Sequence, residues 1–414
     1  DQVYLDDISF YAAEDADVVI ELTEIFMKDL KKQKLFNYFK SIEIDLLPVL
    51  IDMQFNGIFI DKDYLENRSN EIGKKINSLE SKIIDLAGEE FNLNSSQQLA
   101  VILFDKLKLP MIKKRSTAEA VLSELKDKHP LPELILSYRK LYKLKNTYLD
   151  PLPSYIISDT QRVHSSFNQT MTATGRLSTS SPNFQNIPIR TEDGKEIRKA
   201  IKAQSNEYQI FSADYSQVEL RVMAHLSGDK SLISALNNGE DIHTFTAKNI
   251  FNVDNDDMVL PEMRRIAKIV NFGIMYGAGP FRLSQELDIP FGEAKQIKDA
   301  YFEKYQGIEK YIENSKLQIK ETKSVETLLG RKRAVWDSDS QNKIRRDAAE
   351  RMAINMPIQG TAAEMIKLAM IKIHRQMNKE NLKSKLIMQI HDELLLEVHQ
   401  DEIDYISKMV IEHM

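Results

Sequence analysis

Among its 414 residues the chain has no cysteine. Disulfides, thiolate metal sites and cysteine nucleophiles are thereby excluded, so any metal must be held by carboxylate, imidazole or carbonyl groups; the composition suits a reducing compartment. Long hydrophobic runs are missing as well. No stretch approaches the roughly 20 apolar residues of a membrane span, and the opening DQVYLDDISF lacks the charged-then-apolar build of a signal peptide. A cytoplasmic protein without a membrane partner is expected. There is no internal repeat and no low-complexity segment. Nor is there an excess of positive charge: 56 Lys and Arg against 62 Asp and Glu leave a formal net charge of −6, which argues mildly against a nucleic-acid partner. Phosphate contacts depend, however, on where the cations sit rather than on their sum.

The cations are unevenly spread. Lys106, Lys108, Lys113, Lys114 and Arg115 form one cluster and Arg139, Lys140, Lys143 and Lys145 a second. Arg331, Lys332, Arg333, Lys343, Arg345, Arg346 and Arg351 form a third. A charge run is most often a solvated face; three such runs around one groove make a polyanion track. With 42% hydrophobic and 29% charged residues, the chain is long enough for two or three domains with real cores.

Residues 1–37 end in the helix-like EDADVVIELTEIFMKDLKKQ, which has no obvious partner and resembles the tail of a domain whose beginning is missing. From about 38 to 155 the pattern is helical, as in NRSNEIGKKINSLESKIIDLAGEEF and PELILSYRKLYKLKNTYL. Asn94-Ser95-Ser96 before Gln97 and Gln98 reads as a capped helix start, and Pro151 and Pro153 punctuate the chain. QRVHSSFNQT and EYQIFSADYS alternate as half-buried strands do. TATGRLSTSSPNFQNIP between them is too rich in Thr, Ser, Asn, Pro and Gly for a regular element. A second helical block runs from about 218 to 328. KLIMQIHDELLLEVH then reads as two strands joined at His391-Asp392-Glu393, a β-hairpin with charge at its tip.

Two features point to chemistry. In RRIAKIVNFGIMYGAG, residues 264–279, Arg264, Lys268, Phe272 and Tyr276 recur at steps of four and form a helical ridge about 18 Å long. Either the Arg and Lys stems cover a core contributed by Phe and Tyr, or the cations hold a triphosphate and the rings a base. Gly273, Gly277 and Gly279 fit close approach or a bend. Asp214 closes a strand and opens the helix QVELRVMAHLSG, while Asp392 and Glu393 sit on the hairpin turn. Each acid alone reads as a cap or turn residue. Two carboxylates at strand ends can also meet on one sheet and hold two Mg²⁺ ions, which usually take one or two carboxylates plus substrate phosphates.

The motifs DYSQVELR at 214–221, RRIAKIVNFGIMYG at 264–277 and IHDE at 390–393, with TATGRLS at 172–178 and INMPIQGTAAEMI at 354–366, resemble those of family A DNA polymerases of the bacterial polymerase I type. They stand in that family's order from about residue 38 onward. The resemblance implies an α+β right-hand fold: thumb 38–155, an antiparallel-sheet palm from 156–219 and 336–414, and helical fingers 220–335. It implies template-directed DNA synthesis in repair and primer processing, by a nucleoid-associated monomer acting on primer-template DNA and dNTPs.

By the same resemblance, Asp214, Asp392 and the Tyr215 carbonyl hold two Mg²⁺ ions, with Mn²⁺ able to substitute, and Glu393 is an auxiliary carboxylate. Arg264 and Lys268 face the phosphates, Phe272 the sugar and Tyr276 the templating base; Lys268 can also protonate departing pyrophosphate. Glu219 fills the space that a ribose 2′-hydroxyl would need. Gln217 and His243 match positions around the nucleotide, Arg176 the primer terminus, and Arg351, Asn355, Gln359 and His391 positions contacting template and primer. Two alternatives follow. Single-subunit RNA polymerases share the palm aspartates, but Glu219 and the register of the ridge speak against them; a silent DNA-binding module would be expected to lack Asp214, Asp392 or Lys268.

YAAEDADVV, with Tyr11 and Asp15, resembles the last motif of the family's 3′–5′ proofreading domain, so residues 1–37 read as its remnant. The earlier acidic motifs and the 5′-nuclease domain are absent, and proofreading is not expected. The stop at IEHM precedes the family's closing segment, so the sequence reads as a fragment truncated at both ends.

Overall fold

The computed structural model describes residues 4–187 and 192–414. Its first element is the helix Leu5–Lys32, the segment that the sequence leaves without an obvious partner. Phe10, Tyr11, Val19, Ile20 and Phe26 on it are all exposed, and Asp15 is exposed beside them.

A helical body follows. The helix Lys62–Ala87 starts where the Asp61 carboxylate accepts the Tyr64 amide at 2.9 Å and stops at Gly88, φ 72°, the left-handed exit that glycine adopts most cheaply. Its buried Leu65, Ile72, Ile76 and Ile83 pack with Leu131, Ile135 and Tyr138 of the helix Pro130–Leu144. Ser95 caps the next helix through the Gln98 amide, 3.3 Å, as its sequence implies.

The sheet that matters most has three antiparallel strands, Tyr208–Asp214, Glu393–His399 and Lys385–Ile390, with Glu393–His399 in the middle. That central strand is buried at every position. Leu394, Leu396 and Val398 face the core of the helices Asp45–Asn56 and Lys343–Lys379, and Leu395 joins the core of the helical body. Cover on both faces explains why ELLLEVH is nearly continuous in apolar residues rather than alternating. Its one interior charge, Glu397, is paired with Arg162 at 2.6 Å, with the side chains 4% and 8% exposed; an unpaired charge there would be costly.

Between the outer strand and the hairpin, helices from Val218–Ser227 to Gln306–Thr322 surround a core that includes Leu220, Val270, Ile274, Leu283, Tyr301 and Tyr305. The helical block ends at Thr322, earlier than the sequence suggests, because Ser324–Glu326 and Lys332–Ala334 pair as a small hairpin. The segment expected to be irregular also contains a strand, Ser178–Ser180, held by Ser166–Asn168. Its polar side chains do not prevent backbone pairing at an edge; its last residue, Pro188, lies outside the described residues.

Candidate active site

The hairpin turn and the end of the outer strand bring three carboxylates together. Glu393 stands directly opposite Asp214 in the register, and the Tyr215 amide donates to the Asp392 carbonyl at 3.2 Å, fastening the strand end to the turn. His391 adopts a left-handed φ of 55° and is exposed on this turn. The Gln389 side chain donates to the His391 carbonyl.

The carboxylates are not equivalent. Glu393 is buried and already satisfied: the Ser212 hydroxyl donates to it at 2.6 Å and Arg198 at 2.7 Å. Among the described residues Asp214 and Asp392 have no ion-pair partner. Partial desolvation in the cleft, then the negative charges of Asp392 and Glu393, push the Asp214 carboxyl up to about 6, although the side chain keeps a solvent-facing edge. Uncompensated negative charge of this kind fits a cation. No group of three acidic or imidazole side chains among the described residues forms a ready cage, but Mg²⁺ is commonly held by one or two carboxylates with the rest of its shell from substrate and water. Asp214, Asp392 and the Tyr215 carbonyl supply such oxygen donors.

The ridge helix runs from Pro261 to Met275. Proline at the first helical position has no amide proton to leave unpaired. Gly277, φ +73°, turns the chain out of the helix; a methyl group there would lie 3.0 Å from Arg351 Cγ. Tyr276 is therefore the capping residue and not a helical one, as the steps of four had suggested, though its amide still reaches the Phe272 carbonyl at 2.9 Å. Gly273 packs against Leu283, whereas nothing lies within 4 Å of a methyl group at Gly279.

Each ridge side chain has a defined setting. Arg264 pairs with Asp241 at 2.6 Å. Burial would raise the Asp241 pKa, but Arg264 and the Thr244 amide outweigh it and bring it down to about 2. Lys268 has no ion-pair partner among the described residues. Phe272 lies 5.7 Å from the His243 ring and 6.2 Å from the Tyr276 ring, at 28° to the latter. His243 is buried, with Nδ1 3.1 Å from the Asn271 side-chain amide. Burial, helped by Arg264 and Lys268 against the opposing Asp241, lowers its pKa to about 4, so it is neutral at pH 7.

The Tyr276 hydroxyl donates to Glu219 at 2.6 Å, and Arg176 forms an ion pair with the same carboxylate. Glu219 is buried, not the exposed helical acid its type suggests. Gln217, left-handed at φ 54°, starts its helix. On the long helix Lys343–Lys379, Gln359 lies near the Tyr276 hydroxyl, Arg351 backs Gly277, and the buried Asn355 Oδ1 has no hydrogen-bond partner among the described residues. The ridge, the Glu219 helix and the long helix thus meet at Tyr276.

Sequence reasoning missed Arg198 and Asp241. Asp241 carried a signal, since an Asp three residues before Thr244 reads as a helix cap; Arg198 carried none. The cation clusters are also partly spent on partners within the chain, on the surface as well as below it. Arg115 is bidentate to Asp105 at 2.6 Å, Lys106 pairs with Glu89, and Arg139 holds the Thr117 carbonyl at 2.5 Å. Lys145 pairs with Asp150 at 2.8 Å and Arg331 with Glu43 at 2.9 Å.

The profile of DNA polymerase family A matches residues 62–414. DNA polymerase I of Bacillus subtilis is 43% identical over 413 residues, 99% of this chain and 47% of that protein. The thermostable DNA polymerase I of Thermus aquaticus is 46% identical over 389 residues, 92% of this chain and 46% of that protein. The chain thus spans about half the length of the curated relatives it matches. Among solved structures, the POL domain of Pol1 from M. smegmatis, in complex with DNA primer-template and dNTP, superposes with a TM-score of 0.91 at 38% identity, covering 95% of this chain and 70% of that one.

Proposed function

The chain belongs to DNA polymerase family A, and on that premise we propose that its cleft extends a DNA primer along a template, joining dNTPs to the primer 3′-hydroxyl with release of pyrophosphate. The observation that carries this reading is Asp214 and Asp392, without ion-pair partners among the described residues and tied together where the Tyr215 amide meets the Asp392 carbonyl, in a chain whose ridge offers Lys268, likewise unpaired among the described residues, and Arg264 pre-oriented by Asp241. The α+β fold is that of the right-hand polymerases. In it, 38–155 serves as thumb, 156–219 and 336–414 as palm, and 220–335 as fingers; 1–37 is a remnant of the proofreading domain.

Asp214, Asp392 and the Tyr215 carbonyl would hold Mg²⁺, which when bound lowers the pKa of the primer hydroxyl and neutralises the triphosphate and its leaving group. Glu393, tied to Arg198 and Ser212, holds the turn in place and adds negative charge behind the pair. Arg264 and Lys268 bind the phosphates, and Lys268 delivers a proton to departing pyrophosphate. Phe272 supports the sugar, backed by neutral His243. Tyr276 and Arg176 hold Glu219 from two sides, so that its carboxylate is a fixed wall against a 2′-hydroxyl. Arg351, Asn355, Gln359 and His391 line the path of template and primer, and the unpartnered Asn355 oxygen supports a polar contact from outside the chain. Such work belongs with the DNA of a bacterial cytoplasm.

Extension of a labelled primer on a DNA template, with Mg²⁺ and either dNTPs or NTPs, tests the proposal. Extension with dNTPs alone supports it. NTP-dependent products point to an RNA polymerase, and binding without extension to a silent module.

A further inference from the structure

Arg331 follows the turn between the strands Ser324–Glu326 and Lys332–Ala334, where the sequence offers it as one cation of a surface cluster. Its surroundings are different. The guanidinium donates to Glu43 at 2.9 Å, and Glu43 also accepts from Lys367 at 2.9 and 3.1 Å and from Gln169 at 2.7 Å. Lys367 is 1% exposed. Arg331 is half-buried beside it; holding two cations on one carboxylate largely out of water is expensive and adds little net stability, so the arrangement calls for a geometric reason.

The reason lies in what Arg331 touches. A methyl group on Gly175 would stand 2.8 Å from Arg331 Nε and 2.9 Å from its Cζ; the guanidinium rests directly on the backbone of the Thr172–Arg176 turn. From the long helix, Gly360 closes on the same turn. A methyl group there would meet the Thr174 carbonyl at 3.1 Å and Thr327 Cγ2 at 2.6 Å. Inside the turn the Thr172 hydroxyl donates to the Arg176 carbonyl at 2.6 Å, and Gly175 has φ +83°. The chain leaves this grip at Arg176, whose guanidinium pairs with Glu219.

We propose that Arg331 is a positioning residue: anchored by Glu43, it clamps the turn at Gly175 and so delivers Arg176 to Glu219, fixing the wall that faces the nucleotide sugar. The inference rests on the function proposed above. Arg331 reaches the nucleotide only through Arg176, by the side chain's hold on a backbone and not by its charge.

Charge and shape are separated by Arg331→Lys, which keeps a cation facing Glu43 and loses the planar face on Gly175. In this variant the preference for dNTPs over NTPs is expected to fall about tenfold, the order of loss that slight misplacement of a reacting wall produces, with primer–template affinity and thermal midpoint held. In an Arg176→Ala background the same change should add nothing. Hydrogen exchange across 172–176 should accelerate in Arg331→Lys, a readout independent of activity. Wild-type selectivity together with wild-type exchange in Arg331→Lys overturns the proposal, as does an effect that persists undiminished without Arg176. A wild-type chain that fails to extend primers overturns the proposed function instead, and the exchange measurement still decides whether Arg331 clamps the turn.

Discussion

The Tyr276 hydroxyl donates a 2.6 Å hydrogen bond to the Glu219 carboxylate, joining the end of the ridge helix to the helix that follows Asp214. The other oxygen of Glu219 pairs with Arg176, so three separate motifs converge on one buried acid. Removing the Tyr276 hydroxyl alone leaves the ion pair in place and frees one oxygen. Glu219→Ala should therefore raise ribonucleotide incorporation strongly, while Tyr276→Phe should raise it by less, in line with one lost hydrogen bond of about 1 kcal/mol. Competition between dNTP and NTP in single-nucleotide extension gives both numbers; equal selectivity in the wild type and Glu219→Ala would remove Glu219 from the sugar wall.

Phe272 carries no hydroxyl, and its neighbours are the rings of His243 and Tyr276; on the proposed reading it faces the nucleotide sugar. A nucleotide lacking its 3′-hydroxyl finds no replacement contact there, so dideoxynucleotides should be rejected. Phe272→Tyr supplies a polar group and should relax the rejection by roughly ten- to hundredfold, the worth of one hydrogen bond in a dehydrated site. Chain-termination assays with mixed dNTP and ddNTP read this directly. Equal termination by the two proteins would displace Phe272 from the sugar.

His243 gives the fold a pH dependence of known sign. Its pKa falls from 6.5 to about 4 on folding, so between those values the unfolded chain binds the extra proton and stability declines as the pH drops. The full cost, reached below about pH 4, is on the order of 3 kcal/mol. Denaturant unfolding of His243→Gln should show a flatter profile between pH 4 and 6.5 than the wild type. Parallel profiles would mean that His243 does not titrate as its burial requires.

Cations already paired with a carboxylate of the chain should contribute less to DNA binding than unpaired ones. Arg345 is exposed and has no ion-pair partner among the described residues, whereas Arg115 is bidentate to Asp105. Arg345→Ala is expected to lower the salt slope of primer–template affinity by about one, and Arg115→Ala to leave it unchanged. Fluorescence anisotropy across a salt series separates the two; identical slopes for all three proteins would exclude Arg345 from the DNA track.

Local signals in the sequence were faithful where chemistry is local. The strand-to-helix switch after Asp214 and the Ser95 cap stand where turn and capping preferences put them; the hairpin tip, expected at His391-Asp392-Glu393, is His391-Asp392 alone, because Glu393 is already paired with Ile390 and Asp214 as the first residue of its strand. The ridge was legible to within one residue: helical periodicity carries no information about Gly277 turning left-handed, which makes Tyr276 a cap. Long-range pairing was illegible. Glu43 meets Lys367 across 324 positions and Arg198 meets Glu393 across 195, and no spacing rule connects such residues. The same blindness made Arg331 and Arg115 look like free surface cations, because a side chain's partner depends on packing and not on its neighbours in the chain.

The central claim is that Asp214 and Asp392 serve nucleotide addition and not DNA affinity. One measurement addresses it: single-turnover extension of a bound primer–template with Mg²⁺ and dNTP by the wild type, Asp214→Asn and Asp392→Asn, with the fraction of bound DNA recorded in the same samples. Both variants are expected to bind primer–template as the wild type does and to lose extension by several orders of magnitude, since on the proposed reading each removes a carboxylate that would hold Mg²⁺ for the chemistry. Extension at the wild-type rate by either variant would contradict the account.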